Sequence, residues 1–330
     1  MPATRRVLVA ATAAVVATLA GCSTQSTPQA TSAATVTGAA AFTAVTLDNC
    51  GTHVTVDQPP RKVVTIKSTS TEMLLALGLQ EAIVGTAFAD GPLPDTYKDA
   101  DLTVISDKVP GQEALLALEP DFVYAGWESN FSADGAGDRA GLQELGIGTY
   151  VSPAACKEPG YMPDPLTFDK VDDEIREVAG IFGVPDRAER LIATEKATLA
   201  SAKKPAEKTT ALWYSSGDDT PYVGAGIGAP QMMMDAAGLT NIFAGVHDTW
   251  TSAGWETIVA ADPSVIVLVD ASWNTADKKI KALESNPATA QLSAVKNHRY
   301  LTIPFAASEA GVRNAEAVKS LDDQLAALDQ

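Results

Sequence analysis

A repeated segment constrains the fold of this chain more than any other feature. Residues 111–124 (GQEALLALEPDFVY) and residues 254–267 (GWETIVAADPSVIV) align without a gap, so that Glu113 matches Glu256 and Pro120 matches Pro263. Each copy is typical of a short amphipathic helix followed by a buried strand. The proline ends the helix and favours extended backbone in the acidic residue before it.

A second and weaker match precedes each copy. Residues 73–79 (MLLALGL) lead to an apolar segment at 83–85, and residues 233–239 (MMDAAGL) lead to a similar segment at 242–245. In both places we expect the glycine to cap a helix and a short strand to follow. Two matched pairs in the same order predict two lobes of similar topology.

Helices and strands alternate within each half, which predicts an α/β fold with a mostly parallel, doubly wound sheet in each lobe. Residues 69–72 (TSTE) match a capping box at the start of the first helix. Residues 168–202 have helical periodicity, interrupted at Gly183 and Pro185, and predict a long rigid helix that joins the lobes. Ligands bind beyond the carboxyl ends of such strands, so we expect a ligand cleft between the lobes.

The N-terminus is typical of a secretory signal peptide. Arg5 and Arg6 precede a mostly apolar stretch, residues 7–20, that is too short to span a bilayer. Residues 19–22 (LAGC) resemble the bacterial lipobox, in which the cysteine is lipidated; an ordinary secretory signal is the alternative for Cys22. The predicted domain limits are 1–21 for the lipoprotein signal peptide, 22–44 for a flexible tether, 45–160 for the N-terminal lobe, 161–207 for the connecting helix and 208–330 for the C-terminal lobe.

Composition excludes several classes of function. The net charge of −17 becomes −19 once Arg5 and Arg6 are removed, and such a chain repels nucleic acid. Cys50 and Cys156 form an even pair in an oxidising compartment, which favours a disulfide over two free thiols. Three histidines are too few for a bare zinc or manganese site, and we expect neither a bound metal nor a resident cofactor.

An ordered set of segments resembles the ABC-importer binding proteins for ferric siderophores, haem and cobalamin. These are residues 61–64 (RKVV), 71–78 (TEMLLALG), the two repeat copies and 292–300 (LSAVKNHRY), in a similarity that runs from about Val54 to the C-terminus. The resemblance implies a lipid-anchored monomer on the extracytoplasmic face of the bacterial membrane. It would capture an anionic chelate or ring-system ligand and deliver it to an ABC permease and its ATPase.

Two further segments resemble a narrower subgroup of that family. Residues 125–137 (AGWESNFSADGAG) and 152–158 (SPAACKE) are similar to proteins presumed to carry a phospholactyl deazaflavin, the precursor of a redox coenzyme. The resemblance therefore adds this deazaflavin precursor to the possible ligands.

Loops that follow the strands should supply the ligand contacts. Cations in these loops suggest an anionic ligand, and the alternative is that they are solvated loop charges. Tryptophans in these loops could stack on a ring system, and the alternative is that they pack in the core. The candidate ligand-binding residues are Lys67, Lys108, Trp127, Lys157, His247, Trp250, Trp273 and Arg313.

The matched glutamates of the repeat are candidate docking points. The resemblance implies that Glu113 and Glu256 pair with permease arginines, one on each lobe; favourable interaction with a helix dipole is the alternative.

A secreted hydrolase remains the alternative function for the protein. The sequence contains no Gly-x-Ser-x-Gly elbow, and we expect no catalytic residues. Residues 224–228 (GAGIG) lack the spacing of a dinucleotide-binding loop.

Overall fold

A computed structural model describes residues 42–203 and 209–329 of the chain. The predicted signal peptide, Cys22 and most of the predicted tether lie outside these residues, as do residues 204–208 near the end of the predicted connector. Within the described ranges, the structure contains no helix that is both long and apolar enough to cross a membrane.

A hairpin and a five-stranded sheet form the first lobe. Strands β1 (Val45–Asn49) and β2 (Thr52–Val56) pair antiparallel. The five parallel strands that follow have the order β5-β4-β3-β6-β7. The first strand of this sheet, β3, therefore lies in its middle, and later strands are added on both sides. The strands are β3 (Val63–Ile66), β4 (Ile83–Ala87), β5 (Val104–Ser106), β6 (Phe122–Ala125) and β7 (Gly148–Val151), and the helices are α1 (Ser68–Ala76), α2 (Gln112–Leu116) and α3 (Arg139–Glu144).

Two helices connect the lobes. They are α4 (Phe168–Ile181) and α5 (Pro185–Ser201). The break between them falls at Gly183, which has left-handed backbone with φ of 67°, and α5 begins at Pro185. Helix α5 extends from the first lobe, where Arg187 donates to the carbonyl of Leu77, towards the second. The predicted helical connection is therefore present, with its break at the glycine and proline that interrupt the sequence pattern.

The second lobe repeats the central part of the first and adds antiparallel strands. Strand β8 pairs in parallel with β12 and β10, and β12 pairs in parallel with β13, whereas β9 is antiparallel to both β8 and β11. Its strands are β8 (Thr209–Ser216), β9 (Tyr222–Gly224), β10 (Leu239–Asn241), β11 (Trp250–Ser252), β12 (Val265–Asp270) and β13 (Tyr300–Pro304). Its helices are α6 (Ala229–Ala236), α7 (Trp255–Ala261), α8 (Ala276–Ser285), α9 (Ser293–Lys296), α10 (Phe305–Ser308) and α11 (Asn314–Leu328).

The two lobes share one topology, as the repeat predicts. The order β4-β3-β6-β7 in the first lobe corresponds to β10-β8-β12-β13 in the second, which confirms the α/β fold of two similar lobes. Gly78 and Gly238 follow matching helices with φ of 66° and 74°, a left-handed conformation that glycine adopts without strain. The domain limits drawn from the sequence stay a prediction.

Three local predictions are wrong. Strand β10 of the second lobe begins directly after Gly238 and not at residue 242. In the first lobe the turn Gln80–Ala82 separates Gly78 from β4, and the second lobe has no such turn between Gly238 and β10. Glu119 and Asp262, which precede the repeated prolines, have φ of 47° and 41° and are left-handed rather than extended. Proline disfavours the right-handed helical region in the residue before it, and this left-handed turn also ends the helix.

The third error concerns the capping box. Helix α1 begins at Ser68 with Lys67 at its N-cap, and no side chain caps it. Glu72, the predicted box acid, is buried and instead pairs with Arg313 of the second lobe. Burial explains the difference, since a buried carboxylate needs a strong counter-charge more than a backbone amide.

Candidate ligand site between the lobes

A cavity of about 730 Å³ lies between the lobes. Its wall includes Gly126, which follows β6, and Ser152, which follows β7, from the first lobe. Ser215 near the end of β8 and Phe305 directly after β13 contribute from the second lobe. These positions are the carboxyl ends of the strands, where ligands bind to doubly wound sheets.

Aromatic side chains from both lobes line this cavity. All three predicted tryptophans, Trp127, Trp250 and Trp273, are among the lining residues. Tyr222 stacks on Trp250 with an interplanar angle of 15°. Trp127 and Trp273 both approach the ring of Phe305 edge-on, with centroids 6.4 Å and 5.7 Å away. Tyr222 is the first residue of β9 and Phe305 the first residue of α10, and no residue pattern in the sequence singled them out.

A buried lysine holds the loop that carries Trp273. The ammonium of Lys279 donates to the carbonyls of Val269 and Asn274, both at 2.6 Å. Burial lowers the pKa of Lys279 to about 8. The loop is thereby anchored from beneath while Trp273 itself stays 57% exposed, so its ring is available to a ligand.

Lys67 lies beneath the aromatic wall and does not line the cavity. Its buried ammonium forms an ion pair with Asp90 and lies 3.7 Å from the ring centroid of Trp127 and 4.2 Å from that of Phe88. Burial lowers the pKa of Lys67, and Asp90 opposes that effect. The lysine therefore orients Trp127 through a cation–π contact.

Glu309 is a cavity residue that sequence reasoning missed. Its carboxylate accepts a hydrogen bond from the indole Nε1 of Trp127 at 3.3 Å, which links the lobes. Burial raises the pKa of Glu309 to about 7, and the charge of Lys67 opposes the rise. This acid therefore titrates near neutral pH. A loop glutamate carries no sequence signal for such a role, since its environment comes from the opposite lobe.

Lys157 is the predicted cation that lines the cavity. Its ammonium crosses to the second lobe, where it donates to Asp248 Oδ1 at 3.3 Å and Thr249 Oγ1 at 3.2 Å. Its backbone amide and that of Glu158 both donate to Glu128 Oε2. The loop is thus held in place by a neighbouring carboxylate.

The structure joins Cys50 and Cys156 in a disulfide, with their Cα atoms 5.3 Å apart. The bond ties the hairpin turn between β1 and β2 to the residue that directly precedes Lys157. It therefore helps to position the cation at the cavity wall.

The remaining predicted contacts do not line the cavity. Arg313 donates two hydrogen bonds to Glu72 and one to the carbonyl of Pro92. Lys108 and His247 are exposed outside the lining residues. The expected wall of four free cations is therefore absent from the described residues, because the buried Lys67 and the partly buried Arg313 take protein carboxylates as partners.

The described residues contain neither a metal-ligating cluster nor a histidine that lines the cavity. Among residues 42–203 and 209–329, no group of three or more histidine, cysteine or acidic side chains could hold a metal ion. No histidine is among the described residues that line the cavity. His298, outside the cavity, contacts Glu284.

The candidate docking residues occupy equivalent places in the lobes. Glu113 and Glu256 are both exposed, and each lies in the first turn of its helix, α2 or α7, after a glycine N-cap. Each first turn lacks a side-chain cap. The structure thus places one exposed glutamate on each lobe at matching positions.

Comparison with known proteins adds a family match. Residues 63–307 match the periplasmic binding protein family. The lipoprotein YvrC of Bacillus subtilis (strain 168), an uncharacterized ABC transporter substrate-binding lipoprotein, is 25% identical over 295 residues, which cover 85% of each chain. A cobalamin-binding protein of Halobacterium salinarum is 27% identical over 234 residues, 69% of this chain and 59% of that protein.

A solved structure supports the fold. A periplasmic binding protein from Veillonella parvula superposes with a TM-score of 0.75 over 86% of this chain and 97% of that chain. Its sequence is 24% identical, so this likeness concerns the fold alone.

Proposed function

The chain belongs to the periplasmic binding protein family, and we propose that it captures a ring-system or chelate ligand between its lobes for an ABC importer. The class, an ABC-importer solute-binding protein, follows from the family and from the relative named as a substrate-binding lipoprotein. The observation that carries the ligand proposal is the interlobe cavity of about 730 Å³, walled by aromatic rings from both lobes.

The aromatic wall suits a ligand with extended flat faces. Trp127, Tyr222, Trp250 and Trp273 offer rings for stacking, which adds roughly 0.5–1.5 kcal/mol per aromatic pair beyond the area buried. Haem, cobalamin and the phospholactyl deazaflavin precursor contain such a ring system, and a ferric siderophore is the chelate alternative. The relative named as a cobalamin-binding protein supports a ligand of this size and kind.

We propose further that the protein is a monomer, anchored through a lipid on Cys22 at the extracytoplasmic face of the bacterial membrane. The lipobox-like residues 19–22 and the lipoprotein relative support this proposal. Glu113 and Glu256 would then dock the permease, since pseudo-symmetry presents both on matching helices. Incorporation of radiolabelled palmitate into the full chain, but not into the Cys22→Ala variant, tests the anchor.

Ligand recovery tests the main proposal. The full chain, purified from its native host, should release a ring-containing small molecule that mass spectrometry detects. The Trp273→Ala variant should retain less of it, whereas Leu145→Ala, which removes an equally exposed apolar side chain outside the cavity, should not. Recovery of no ligand, or equal retention by both variants, would contradict the cavity assignment. Conversion of the released molecule on incubation with the protein would favour the hydrolase alternative.

A further inference from the structure

The glycine-rich segment 224–228 brings the start of α6 into the cavity wall. A Cβ atom at Gly226 would lie 2.3 Å from the carbonyl oxygen of Ala244, and one at Gly228 would lie 2.8 Å from that of Thr249, so both positions need glycine. The buried amide of Asn241 donates to the carbonyls of residues 224 and 225 and holds the segment. Gly228 and the first residue of α6 line the cavity.

The N-terminal end of α6 has backbone amides without a hydrogen-bond acceptor inside the helix. The amides of Ala229 and Gln231 are first-turn amides, which have no acceptor within the helix. Pro230 lies between them and has no amide hydrogen, and no side chain caps this end. Free amides and the helix dipole together favour an anion at such a place.

An unpartnered hydroxyl lies on the same side of the sheet. Ser215 is only 4% exposed and lines the cavity, yet its hydroxyl has no hydrogen-bond partner anywhere in the described part of the chain. The register between β8 and β9 shifts beside Ser215, and Ser215, Ser216 and Tyr222 all line the cavity there. A Cβ atom at Gly224, the last residue of β9, would contact both Trp213 and Pro230, which places this end of β8 and β9 beside the start of α6. A hydroxyl that lines the cavity without a protein partner is available to a ligand atom, and Ser215 offers one donor and two acceptor sites.

A cation completes the group from the opposite lobe. Lys157, which also pairs with Asp248 at 3.3 Å, donates to the hydroxyl of Thr249, and the backbone of Thr249 packs directly on Gly228. Of the nearby carboxylates, Glu128 accepts hydrogen bonds from two backbone amides and Glu309 accepts one from the indole of Trp127, whereas Glu158 also lines the cavity.

We propose that these groups form an anion subsite inside the ligand cavity, which takes a phosphate ester or carboxylate that the ring ligand carries. The first-turn amides of α6, the hydroxyl of Ser215 and the ammonium of Lys157 are its donors. This inference rests on the proposed function, because it names the chemical group that the captured ring must bear. It also gives the glycine-rich segment a role that does not require dinucleotide binding.

Two flavins that differ only in one phosphate test the subsite. Riboflavin and riboflavin 5′-phosphate present the same ring, and their affinities for the full chain can be measured by calorimetry. The phosphate should tighten binding by about tenfold or more, the size expected for charge-assisted hydrogen bonds. Ser215→Ala and Lys157→Met should each lower the ratio of the two affinities at least about threefold, because each removes a donor to the phosphate. Lys108→Met, an exposed lysine of the same lobe outside the cavity, is the matched control.

Competition separates the subsite from the ring contacts. Inorganic phosphate should weaken the binding of riboflavin 5′-phosphate and leave riboflavin unaffected. Equal affinity for the two flavins, equal losses for both in the variants, or failure of both to bind would overturn the inference. None of these results would overturn the proposed function, which depends on the ligand recovered with the purified protein.

Discussion

Replacing Arg313 with methionine is expected to destabilise the protein by about 3–5 kcal/mol, the cost of leaving a buried charge without its partner. Glu72 and Arg313 join the two lobes through a buried pair, in which the side chains are 2% and 13% exposed. Arg313 donates from two guanidinium nitrogens to the two carboxylate oxygens. Methionine retains the apolar stem, so the loss reports the missing charge rather than a cavity.

The loss should depend on pH in a defined direction. Burial raises the pKa of Glu72, and Arg313 lowers it. In Arg313→Met the pKa of Glu72 therefore rises further, and the folded protein holds a proton that the unfolded chain releases above about pH 4.5. Each additional pKa unit corresponds to about 1.4 kcal/mol. The variant should accordingly be much less stable at pH 8 than at pH 5 relative to the unsubstituted protein.

Urea unfolding of the full chain at pH 5 and pH 8, followed by circular dichroism, measures these free energies. The double variant Glu72→Gln/Arg313→Met should recover part of the loss, because it removes the orphaned charge. Arg176→Met is the control, since its pair with Glu189 is exposed and is expected to contribute less than about 1 kcal/mol. A loss in Arg313→Met no larger than in Arg176→Met, or equal losses at both pH values, would refute the reasoning.

Three other perturbations have expected outcomes. Cys50→Ser/Cys156→Ser, which opens a disulfide between residues 106 apart, should lower the free energy of unfolding by about 2–5 kcal/mol in urea titrations; unchanged stability would contradict a native role for the bond. Burial raises the pKa of Glu174 to about 7, so stability should fall as pH rises from about 4.5 to above 7. Glu174→Gln should flatten that dependence in thermal melts, and an unaltered slope would assign it to other groups. Reversal of Glu113 and Glu256 to lysine should abolish uptake by whole cells and leave ligand affinity in solution intact, whereas lost affinity or normal uptake would reject the docking assignment.

The sequence alone determined the architecture because that information is local and repeated. Helical and strand periodicities indicate each element, and the glycines at 78 and 238 and the prolines at 120 and 263 indicate where a helix ends, although the left-handed backbone before each proline was not predicted. Their recurrence in the same order then required two similar lobes. The three cavity tryptophans were predicted for the same reason, since loops that follow parallel strands converge at one edge of each sheet.

Only the tertiary structure decided which partners the charged residues take. Locally, Glu72 completes a capping box, and Lys67 and Arg313 are loop cations free to bind an anion. In the fold Glu72 meets Arg313 from 241 residues away, and Lys67 meets Asp90 beneath the aromatic wall. A charge removed from water takes the nearest strong counter-charge, and which one is nearest depends on how the lobes pack. Likewise, Ser215 is an ordinary strand residue in sequence, and only the start of α6 beside it makes its unpartnered hydroxyl a candidate ligand contact.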